Sequence, residues 1–195
     1  MAFSVSSLMA LVVISSSPVS SMSCDLPASL DLRKQETLRV LDQMETISPP
    51  SCLKHRTDFK FPQEQLDGRQ FPEAQATSVL HEMLQQIVNL FHTERSSAAW
   101  NTTLLDRLLT GLHQQLEDLN TCLDEQTGEE ESALGTVGPT LAVKRYFRRI
   151  RLYLTEKKYS DCAWEIVRVD IMRSFSSSAN LQGRLGMKDG DLGSP

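Results

Sequence analysis

The residue types that carry chemistry are few in this chain and widely separated. His81 and Glu82 open the run "HEML", which begins like a zinc-protease helix, but HExxH needs its second histidine where Gln85 stands. One ligand is missing, so His81 reads as an ordinary helical histidine. Cys24, Cys52, Cys122 and Cys162 form no CxxC pair, which excludes the close spacings of zinc sites and of thioredoxin-like redox motifs. Neither a glycine-rich phosphate loop nor a GxSxG elbow occurs. The expectation is a protein that is not an enzyme and uses no cofactor or metal.

The chemistry that remains belongs to the secretory pathway. The first 23 residues, "MAFSVSSLMALVVISSSPVSSMS", carry no charged side chain, and their densest apolar run, Leu8 to Ile14, is far short of the roughly 20 residues a membrane span needs. Ser21 and Ser23 flank Met22 in the small-x-small pattern of a cleavage site. Residues 1–23 therefore read as a signal peptide removed after Ser23, leaving one secreted, extracellular domain over 24–195. An even number of distant cysteines in such a chain reads as two disulfides. Three connectivities are possible; joining the terminus to a helix end and a loop to a helix start favours Cys24–Cys122 with Cys52–Cys162. "NTT" at Asn101 is a glycosylation acceptor, placed in a short link before a helix.

The elements that must position these residues are helical. A chain of 195 residues with 40% hydrophobic and 23% charged residues suits one soluble domain. Its net charge of −5 argues against nucleic acid as a partner. Five stretches, at about 30–47, 73–92, 102–123, 140–157 and 160–177, have apolar residues at three- and four-residue spacing, and none alternates like a strand. The third is the clearest, with Leu105, Leu108, Leu109, Leu112, Leu116 and Leu119 in one stripe. Prolines in "SPPS" should end the first helix, and Ser160 should cap the last. Long connections at 48–72 and in "DEQTGEEESALGTVGP", with short ones elsewhere, predict an all-α, five-helix cytokine bundle of up-up-down-down type with two crossover loops. A polar tail from about 178 is expected to be mobile.

Two surfaces stand out. The fourth helix carries Lys144, Arg145, Arg148, Arg149, Arg151, Lys157 and Lys158 against Glu156 alone. Such a strip suits an acidic receptor surface, or a host-defence protein that binds anionic membranes or glycans. On the last helix, Trp164, Val167, Ile171, Ser174 and Phe175 form the expected core face, and Glu165, Arg168, Val169, Met172, Arg173 and Ser176 form a second stripe. Valine and methionine ringed by arginine resemble an interface centre with a charged rim.

The segments "CDLP", "SCLKHRTDFKFPQEQ", "LHEMLQQIVNLFHTERSSAAWNTTLLD", "LAVKRYF" and "YLTEKKYSDCAWEIVRVDIMRSF" resemble the type I interferons across the whole chain after residue 23. That resemblance implies a secreted, monomeric cytokine with the Cys24–Cys122 and Cys52–Cys162 pairing, which joins two receptor chains and so activates Janus kinases and STAT proteins. Its partners would be receptor ectodomains, with no nucleic acid and no membrane insertion. The resemblance assigns Leu53, Arg56, Arg168, Val169, Met172, Arg173 and Ser176 to the high-affinity receptor chain. It assigns Glu82, Gln85, Val88, Asn89, Thr93, Leu104, Lys144, Arg145 and Arg148 to the low-affinity chain.

Overall fold

Helix forms at all five places where apolar periodicity predicts it. The computed structural model describes residues 26–66, 73–126 and 132–178. Its long helices are α1 (Leu26–Gln43), α3 (Glu73–Phe91), α5 (Thr102–Gln126), α6 (Ser132–Glu156) and α7 (Asp161–Ser177). Between them lie pieces too short for periodicity to show: a 3-10 helix (Pro49–His55), α2 (Gln63–Leu66) and α4 (Glu94–Ala99). No strand occurs among the described residues. The signal-peptide assignment, Cys24 and the tail beyond 178 lie outside them.

Two boundaries differ from expectation. The prolines do not end α1, because the chain has already tightened: Met44 and Glu45 donate to Leu41 and Asp42, three residues back. The second long connection is shorter than its glycines and proline suggested, since α5 runs on to Gln126 and α6 begins at Ser132. Pro139 lies inside α6, where a missing N–H costs about 3 kcal/mol. The well-packed segment that follows, with Val143, Tyr146, Phe147 and Ile150 fully buried, carries the helix through that penalty.

The apolar stripes meet in one core. α1 packs on α5, α5 on α3, α3 on α6, α6 on α7, and α7 returns to α1, closing a circuit. Across each of the two connections, helices consecutive in sequence, α1 with α3 and α5 with α6, are not principal neighbours. That is the consequence of crossovers in an up-up-down-down bundle. The fourth helix's basic residues do not disturb this circuit, because its inward positions remain apolar.

The α6–α7 junction is short because α6 ends in a Schellman turn. Tyr159 N–H donates to Leu154 O at 2.8 Å and Lys158 N–H to Thr155 O at 3.1 Å, with Lys158 left-handed at φ 54°. A side chain in that conformation is strained, so Lys158→Gly should stabilise the fold by about 0.5 to 1 kcal/mol. A melting temperature unchanged or lowered in thermal denaturation would show that lysine meets no strain there. Ser160 follows as the first flanking residue of α7, but its hydroxyl makes no capping bond, contrary to expectation. Burial holds this end instead: Trp164 packs against Phe91, Trp100 and Tyr159, with ring centroids 6.0 to 6.2 Å away.

Candidate functional site

The first candidate surface is made by fastening the 3-10 segment to α6 and α7. Cys52 is bonded to Cys162 across 110 residues, with Cα atoms 5.3 Å apart. Farther along the loop, Tyr153 OH donates to His55 O at 2.8 Å, and Arg149 donates from Nε to Phe59 O and from Nη2 to Lys60 O at 2.7 and 2.8 Å. Phe59 and Phe61 pack edge-on against Tyr153 and Tyr146. Lys60 holds a left-handed backbone at φ 56°, with its N–H bonded to the Asp58 carboxylate. Sequence reasoning gave Arg149 to a basic surface strip and missed this anchoring role; nothing in its own helix's pattern distinguishes it from Arg148.

These tethers bring Leu53 and Arg56 beside Val169 and Arg173. The four share a cleft of about 250 Å³ with Pro49, Pro50, Thr57, Ile166 and Asp170. Leu53 is 60% exposed, and Arg173 is also exposed. Val169 and Met172 are half-buried, and Ser176 is exposed one turn beyond Met172, to whose carbonyl its hydroxyl donates. An apolar floor with guanidinium groups at its edge can receive an apolar side chain flanked by acidic ones. Asp170 is the one carboxylate lining the cleft among the described residues. Burial pushes its carboxyl above the usual aspartate range, opposed by a hydrogen bond from Tyr146 OH and by the Arg173 charge. Burial likewise raises Tyr146, helped by the Asp170 charge. Ile166 and Asp170 were not anticipated, although 166, 169, 170 and 173 share one helical face.

Arg168 does not belong to this surface. It is 2% exposed, and Glu165 beside it is fully buried. Its Nε and Nη2 donate to the two Glu165 carboxylate oxygens, and its Nη1 donates to Leu41 O at 2.8 Å and contacts Met172 Sδ at 3.2 Å. The expected second stripe therefore splits. Glu165 and Arg168 turn toward α1 and lock α7 to it, because a buried guanidinium needs a carboxylate and carbonyls within reach. Val169, Met172, Arg173 and Ser176 stay outside or half outside.

The second candidate surface runs along α3 and α6. Glu82, Gln85 and Asn89 lie at three- and four-residue intervals on α3, and Gln85 Nε2 donates to Asn89 Oδ1 at 3.3 Å. Lys144 of α6 reaches Glu82 at 3.3 Å, joining the two helices. Arg145 and Arg148 are exposed on the same helix. Val88 departs from expectation: it is 4% exposed and packs in the core, so its side chain is unavailable to a partner. Thr93 caps α4, accepting from Ser96 N–H at 3.1 Å, and Leu104 is half-buried at the start of α5. Part of the basic strip has partners: Arg149 holds the loop, Arg151 donates to Gln86, and Lys144 and Lys157 form surface pairs with Glu82 and Glu156.

Of the other singled-out residues, Cys122 is buried and disulfide-bonded, whereas Cys24, its expected partner, lies outside the described residues. Asn101 is exposed between α4 and α5. His81 is half-buried on α3, and no group of residues among those described could hold a metal ion.

A crossover-connected helical bundle with a loop fastened by a disulfide is the architecture of the helical cytokines. The interferon alpha/beta domain model matches residues 26–185. Across all 195 residues, covering each chain completely, the sequence is 97% identical to interferon omega-1 of Equus caballus and 59% identical to interferon tau-11 of Ovis aries. It is 60% identical to interferon omega-1 of Homo sapiens over 96% of each chain. Zebrafish interferon 2 shares the fold at a TM-score of 0.61 and 22% identity, over 75% of this chain and 94% of that one. The chain belongs to the interferon alpha/beta family, the type I interferons, which are cytokines and not enzymes.

Proposed function

We propose that the chain is a secreted cytokine that cross-links the two chains of the type I interferon receptor. Their approximation activates the associated Janus kinases, and STAT proteins then induce antiviral, antiproliferative and immune genes. The high-affinity chain meets Leu53, Arg56, Val169, Met172, Arg173 and Ser176; the low-affinity chain meets Glu82, Gln85, Asn89, Thr93, Leu104, Lys144, Arg145 and Arg148. The ligand acts as a monomer, after loss of residues 1–23, with Cys24 bonded to Cys122 and a glycan on Asn101. The observation that carries this reading is the cleft that collects Leu53, Arg56, Val169 and Arg173 from two distant parts of the chain.

Binding to the two receptor ectodomains, separately and together, tests it. Tight binding to one chain with weaker capture of the second is the expected result; binding to neither would end the proposal. Met172→Ala should weaken the tight interaction by about 1 to 2 kcal/mol, roughly 5- to 30-fold, as an interface anchor does. Its melting temperature should fall little, since the side chain is only half-buried. A large melting loss with unchanged affinity would place Met172 in the core instead. The membrane- or glycan-binding reading is the weaker one, because Arg149 and Arg151 of its strip are held within the molecule by the Phe59 and Lys60 carbonyls and by Gln86.

A further inference from the structure

Asn101 can carry sugar without giving up its structural role. Its Oδ1 accepts from Leu104 N–H at 3.2 Å and its carbonyl from Leu105 N–H at 2.9 Å, so it caps α5. The amide nitrogen Nδ2, the atom that takes the glycan, has no hydrogen-bond acceptor among the described residues. Thr103, which completes the acceptor triplet, is exposed as well. The donor chemistry is that of a lipid-diphosphate-linked oligosaccharide. Nδ2 bonds to the anomeric carbon, that carbon's bond to the diphosphate oxygen breaks, and Nδ2 loses one proton; nothing is oxidised or reduced.

The position of the sugar has a consequence for assembly. Leu104 is joined to Asn101 by the capping bond, and Thr93 lies at the other end of α4, a six-residue helix about 9 Å long. Both residues belong to the face assigned above to the low-affinity receptor chain. A branched oligosaccharide rooted at Nδ2 would be larger than that span and would reach the end of the face. The high-affinity surface is built on the 3-10 helix and α7, whereas α5 packs on α1 and α3. We propose that the glycan on Asn101 gates this cytokine, hindering capture of the low-affinity receptor chain while leaving the high-affinity chain's surface open. This inference rests on the receptor reading above.

The test compares three forms of the full secreted protein, made in glycosylating cells: the glycosylated form, the same form after peptide N-glycosidase, and Thr103→Ala. The enzyme converts Asn101 to aspartate, which keeps the capping oxygen, and Thr103→Ala leaves Asn101 itself in place. Both bare forms should bind the low-affinity ectodomain roughly three- to tenfold more tightly than the glycosylated one, with equal affinity for the high-affinity chain. Equal low-affinity binding by all three would overturn the gate and leave the receptor reading standing, as would mass spectrometry showing Asn101 bare in the secreted protein. Failure of every form to bind either chain would overturn both.

Discussion

Arg168→Ala is expected to destabilise the fold by about 3 to 5 kcal/mol, because it leaves the fully buried Glu165 carboxylate without its cation. For a domain of this size that corresponds to a melting temperature lower by roughly 6 to 20 °C. The loss has a second component: Leu41 O, in the last turn of α1, loses the guanidinium that bonds it at 2.8 Å. Glu45, with its carboxylate 3.6 Å from Nη2, is 45% exposed on its side chain and regains water, so it adds little. The double variant Glu165→Leu with Arg168→Met should recover most of the loss, since apolar residues of similar size can replace a buried ion pair at little cost. Calorimetry of both variants, beside receptor binding at a temperature where both are folded, separates the roles. If Arg168→Ala melts with the parent protein and loses affinity, Arg168 faces the receptor and not Glu165.

That contrast marks where sequence reasoning reached its limit. Helical spacing correctly put Trp164, Val167, Ile171 and Phe175 inside, because large apolar residues at that interval are driven from water as a set. It could not divide the opposite stripe. Glu165 and Arg168 are charged, three residues apart and compatible with a solvated face; their burial depends on the end of α1 presenting the Leu41 carbonyl to the guanidinium, a contact 127 residues distant. Val88 poses the reverse case: the resemblance gave it to the low-affinity receptor chain, but α3 is flanked by both α5 and α6, and the side chain is buried. The loop was legible through its cysteine alone. Besides the packing of Phe59 and Phe61, its other fastenings are backbone carbonyls accepting from Arg149 and Tyr153, and carbonyls have no signature in a sequence.

Removing the Cys52–Cys162 bridge by replacing both residues with alanine should cost about 4 to 5 kcal/mol, the chain-entropy value for a closed loop of roughly a hundred residues. Denaturant unfolding should show this as a lower midpoint, together with the larger slope expected of a more expanded unfolded chain. Recognition should suffer as well as folding, by a smaller amount that can be measured separately. Leu53 is the residue next to Cys52, and its distance from Arg173 is fixed through the bridge, whereas the hydrogen bonds of Tyr153 and Arg149 grip the chain only at His55 and beyond. Without the bridge, the segment around Leu53 must be ordered at the moment of binding, and that ordering subtracts from affinity. At a temperature where the variant remains folded, affinity for the high-affinity chain should therefore drop about tenfold, a free-energy difference of about 1.4 kcal/mol. Unchanged affinity in a folded but weaker variant would mean that the carbonyl bonds and the packing of Phe59 on Tyr153 already hold the loop in its binding geometry, leaving the disulfide a purely thermodynamic part.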